Sequence, residues 1–71
     1  MVAYKIATPL TAVARYDNGL RIITLPKSAV VEVIGRSETR NMVDTQWGGL
    51  IVSVFQVDLD ERCEPFDTDE D

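Results

Sequence analysis

Histidine is absent from this chain of 71 residues, and cysteine and tryptophan occur once each. Without histidine the commonest base for acid–base and thiol chemistry is missing, which leaves carboxylates, Lys5, Lys27, Tyr4, Tyr16 and Cys63 as the reactive side chains. These form no recognisable set, so neither a catalytic residue nor a cofactor or metal ligand is expected. A single cysteine excludes an internal disulfide and points to a reducing cytoplasm. Apolar runs extend over only a few residues, far below the roughly 20 that cross a bilayer. The first ten residues hold neither a long apolar stretch nor a small-residue cleavage site, so export is not expected. Long helices are not expected either, because β-branched residues dominate and no segment shows a sustained apolar helical period.

What the chain does contain is strand-sized. Its length suits one domain that buries only about 60% of the surface exposed on unfolding, too little to house a deep cleft. Asn18-Gly19 separates Ala12 to Tyr16 from Leu20 to Leu25, a hairpin signal that predicts a type I′ turn with positive φ at both residues. Gly48-Gly49 does the same between Met42 to Trp47 and Leu50 to Phe55. Between the hairpins, Pro26-Lys27-Ser28 turns the chain into the β-branched run Ala29 to Ile34, which stops at Gly35. An earlier strand runs over Val2 to Ala7. Ile22-Ile23 and Val30-Val31 place apolar side chains on both faces of their strands, so that early strand is expected to cover some of the outward ones.

The net charge of −5 hides a division. Residues 1–57 carry six basic side chains against four acids, whereas residues 58–71 carry eight acids against Arg62 alone. The acidic end offers little apolar surface to offset ordering entropy, and a flexible tail is expected over 66–71, with the folded domain over 1–65. Asp58-Leu59-Asp60-Glu61 and Asp67-Thr68-Asp69-Glu70-Asp71 lack the glycine and glutamate spacing of a calcium loop and read as solvated charge.

Leu50-Ile51-Val52-Ser53-Val54-Phe55 running into Gln56-Val57-Asp58-Leu59, after a glycine hairpin, resembles the end of an SH3-like small β-barrel. Thr11-Ala12-Val13-Ala14-Arg15-Tyr16-Asp17 is similar to the opening strand of that superfamily, and Leu25 to Ile34 to its diverging turn and following strand. Across about residues 11–63, the resemblance implies an all-β, five-stranded barrel with a short 3₁₀ turn before the last strand. Gly35 to Asn41 would be its n-Src-like loop. The superfamily's polyproline shelf does not carry over, because Met42, Gln56 and Leu59 stand where it shows tryptophan, proline and tyrosine.

The functional expectation is a non-enzymatic protein-interaction or assembly module, alone or as a homo-oligomer, whose partner is a protein or a second copy and not a membrane. Tyr16, Arg36, Arg40, Met42 and Trp47 are the candidate contacts, drawn from the n-Src-like loop, the distal hairpin and the first hairpin. The alternative is a binder of single-stranded nucleic acid through Arg15, Arg21, Arg36 and Arg40. A third reading comes from the type II dihydrofolate reductases, SH3-like tetramers with a Val-Gln-Ile-Tyr stretch where this chain has Val52-Ser53-Val54-Phe55. The glutamine and the tyrosine hydroxyl are both missing.

Overall fold

Alternation of small or β-branched residues with polar ones builds seven strands in the computed structural model, which describes residues 2–66. In chain order these are β1 (Ala3–Ile6), β2 (Leu10–Tyr16), β3 (Gly19–Leu25), β4 (Val30–Arg36), β5 (Met42–Trp47) and β6 (Leu50–Phe55). A helix, α1 (Gln56–Arg62), and a last strand, β7 (Cys63–Phe66), complete the described chain. The described residues are all-β apart from that one helix. Its strands form a single antiparallel sheet in the order β3-β2-β6-β5-β4-β1-β7.

Three expectations are corrected here. The described residues form seven strands and not five, because β1 and β7 add to the four strands of the two hairpins and β4. The sheet is open and not a closed barrel: β3 pairs only with β2 and β7 only with β1. The 3₁₀ turn is a seven-residue α-helix, held by two i,i+4 side-chain pairs. In these, Gln56 Nε2 donates to Asp60 Oδ1 at 3.2 Å and Arg62 Nε meets Asp58 Oδ1 at 3.4 Å. The early strand does not lie across a face of the sheet either; β1 joins the sheet edge-on between β4 and β7. Phe66 is the last residue of β7, opposite Ala3. The rest of the expected tail, 67–71, lies outside the described residues.

Both glycine hairpins form, with different turn chemistry. Gly48 has φ 61° while Gly49 does not enter the positive region, the pattern of a type II′ turn with glycine first. In the first hairpin the two-residue loop is Asp17-Asn18, because Tyr16 pairs with Gly19. Positive φ falls on Gly19 alone, at 139°, so the expected type I′ turn over Asn18-Gly19 is replaced by a turn one residue earlier. Asp and Asn both suit the centre of an ordinary turn, so the strong dipeptide misplaced the loop by one position. Ser28 follows Lys27 at φ 78°, where Ala29 N–H returns to the Pro26 carbonyl at 3.2 Å, the geometry of a type II turn.

One apolar cluster joins the inner face of β1 to β6 with the helix. Ile6, Leu10, Leu25, Val31, Val52 and Val54 are buried in it, with Leu59 of α1 closing one end at 2% exposure. A flat sheet could not bring β1 and β3 to the same core, so the sheet curls around these side chains. Full burial of Leu59 stabilises the helix by about 1.5–3 kcal/mol relative to leaving it in water. Thr45 is fully buried, and its hydroxyl donates to the Val52 carbonyl at 3.0 Å; among the described residues no buried side-chain polar atom lacks a partner.

A candidate binding groove

At one end of the sheet, β4 hands over to β5 through residues 37–41, and β6 hands over to α1 beside it. The β4 strand loses its register between Val33 and Gly35, a bulge that turns Ile34 into solvent and re-aims the strand end. The loop then ties itself: Ser37 N–H donates to the Met42 carbonyl at 3.1 Å, Met42 N–H to the Thr39 carbonyl at 3.2 Å, and Thr39 N–H to the Ser37 hydroxyl at 3.1 Å. Asn41 closes it at φ 66°, a left-handed conformation that asparagine tolerates. Its carbonyl accepts the N–H of Gln56 at 2.9 Å and so fastens the loop to the start of the helix.

Between loop and helix lies a cleft of about 460 Å³ lined by Arg36, Ser37, Thr39, Arg40, Asn41, Met42, Val43 and Gln56. A second hollow of about 450 Å³ shares Arg40, Asn41 and Gln56 and extends over Phe55, Val57 and Asp60. Phe55 is 45% exposed and Val57 53%, an apolar shoulder beside two guanidinium groups. Neither Arg36 nor Arg40 forms an ion pair among the described residues. The groove thus offers cationic and polar donors on one side and apolar contact on the other.

Of the five candidate contacts, the fold brings Arg36, Arg40 and Met42 together here and sends Tyr16 and Trp47 elsewhere. Met42 pairs with Phe55 at this end of β5, whereas Trp47 pairs with Leu50 at the other, about 17 Å away at the usual rise per strand residue. Trp47 is half-buried against the core and Tyr16 sits at the first hairpin, with the Arg21 guanidinium 5.7 Å from its ring centroid. Asn41 and Gln56 were missed as groove residues. The sequence signal for Gln56 was its place directly after a strand, but only the pairing of Asn41 with it reveals the groove.

The four arginines of the nucleic-acid alternative do not make one stripe. Arg15 lies opposite Ile51, about 13 Å along β6 from Phe55. It reaches Asp44 at 3.8 Å, and Asp44 in turn accepts a 2.6 Å hydrogen bond from the Ser53 hydroxyl. Val52, Ser53 and Val54 are buried within the chain itself, so only Phe55 of that stretch faces outward. Burial pushes the Cys63 thiol above its ordinary pKa, and the charge of Asp58 adds to the effect, so the thiolate is disfavoured. No family model matches the chain, and neither do characterised proteins or solved structures.

Proposed function

We propose that the chain is a non-enzymatic protein-interaction module of the SH3-like kind, whose groove takes a partner segment carrying a carboxylate next to an apolar side chain. The observation that carries this reading is the pair Arg36 and Arg40, without ion-pair partners among the described residues, over a cleft continuous with exposed Phe55 and Val57. A guanidinium suits a carboxylate because its planar fork can donate two parallel bonds. The order of hairpin, loop, hairpin and short helical segment is the part of the SH3-like resemblance that remains beside an open, seven-stranded sheet. Burial of Met42 and Leu59 supports a module without the polyproline shelf, since neither side chain is free to form one. Burial of Val52, Ser53 and Val54 weighs against the reductase-like reading.

Amide chemical shifts, followed during titration with a short peptide of aspartate, glutamate and leucine, test the proposal. Saturable shifts at Ser37 to Val43 and Gln56 are expected, with affinity falling at least about tenfold in Arg36→Ala with Arg40→Ala, as loss of two charge-assisted contacts implies. An inert groove overturns it, and a groove that responds to a thymidine oligonucleotide and not to the peptide overturns it in favour of the nucleic-acid alternative.

A further inference from the structure

The sheet has two free edges, and the backbone shows what each presents. Tyr16 and Gly19 flank the two-residue loop and form the first hydrogen-bonded pair, so Arg21, Ile23 and Leu25 bond to β2 in turn. The N–H and C=O groups of Leu20, Ile22 and Thr24 therefore point away from the sheet, with no strand beyond them among the described residues. Their side chains are also in solvent, Leu20 at 67% and Ile22 at 77% exposure. No proline interrupts β3, and Arg21 is its one charged residue. Such a long, apolar, unprotected edge is a template for another strand.

We propose that β3 pairs with β3 of a second copy, antiparallel and centred on Ile22. In that register Ile22 meets Ile22 of the second copy and Leu20 meets its Thr24, so all three outward-facing residues exchange backbone bonds in both directions. Centring on Arg21 would retain fewer pairs and set the two Arg21 side chains opposite each other. Centring on Ile23 would bring Pro26, which has no N–H, against Leu20. The Ile22 register also draws support from charge at its ends. It brings the loop before β3, which carries Asp17, towards the turn after β3 of the second copy, which carries Lys27, and by symmetry the reverse. Neither Asp17 nor Lys27 has an ion-pair partner among the described residues.

The assembly ends at two copies. Each β3 edge is used up by the pairing, and the remaining ends are β7. There Ile6 and Val2 direct their backbone groups to β4, as the 2.8 Å bond from Ile6 N–H to the Ala29 carbonyl and the 2.8 Å bond from Val33 N–H to the Val2 carbonyl show. Lys5 and Ala3 then face β7 and bond Glu64 and Phe66, which leaves Cys63 and Pro65 on the outer side. Proline supplies no donor there, so the edge resists extension. This dimer is separate from the groove and stands or falls independently of it.

Sedimentation velocity of the full chain over micromolar to millimolar concentration tests the proposal. A concentration-dependent dimer is expected, with Ile22→Lys raising its dissociation constant at least about tenfold while the circular dichroism stays that of the parent. Asp17→Lys and Lys27→Asp should each weaken the dimer severalfold, and the two together restore it. A chain that is monomeric throughout, one that grows into larger species, or a dimer indifferent to Ile22→Lys overturns the proposal. Charge reversals that fail to rescue each other overturn the register.

Discussion

β7 ends the sheet with four residues, one of them Pro65 on the outer side, whereas β3 ends it with seven that contain no proline and expose Leu20 and Ile22. The two edges also differ in their support. β7 follows directly from α1, whose Arg62 carbonyl accepts the N–H groups of Ala7 at 2.8 Å and Thr8 at 3.1 Å, so that edge is bound to the helix and through Leu59 to the core. Among the described residues β3 has its hairpin partner β2, the buried anchor Leu25 and the half-buried Ile23, and no element beyond it in the sheet. One edge is protected by composition and by a buried neighbour; the other is left with everything a pairing strand needs. An edge of that kind is a liability in a stable soluble fold unless something covers it.

The largest effect that separates the two sides is on stability. Leu59→Ala empties a fully buried position and should cost about 2–5 kcal/mol, read as a fall in the urea midpoint with little change in slope. A cost below about 1 kcal/mol would mean that α1 does not anchor the β7 side. The effect of Pro65→Val should be smaller and of another kind. Restoring an N–H to the outer side of β7 should let dimers join end to end at high concentration, seen as added mass in light scattering with the monomer fold retained. Unchanged mass would assign the protection of that edge to its shortness and to Glu64.

The comparison of edges was only partly legible in the sequence. Both hairpins could be placed because glycines punctuate β-branched runs at short spacing, and Ile22 was recognisable as a residue with one apolar neighbour too many for a single buried face. What could not be read was pairing beyond neighbours in the chain. Nothing in Ala3 to Ile6 announces that it lies between β4 and β7, since that arrangement depends on contacts distant in sequence. The helix was missed because it buries a single side chain, Leu59, and so shows no apolar period; its signal was the Asp58–Arg62 pair, acid before base at i,i+4. For the groove, Arg36, Arg40 and Met42 were found because they crowd one loop. Tyr16 and Trp47 were grouped with them by residue type, and the length of β5 separates them.

The central claim is that the outward backbone groups of β3 are free in one copy and paired in two. Amide hydrogen exchange measured residue by residue at two concentrations tests it most directly. At low concentration Leu20, Ile22 and Thr24 should exchange nearly as fast as in an unfolded chain, while Arg21 and Ile23 are protected by β2. At high concentration all five should be protected together. Fast exchange of Leu20, Ile22 and Thr24 at both concentrations would contradict the account.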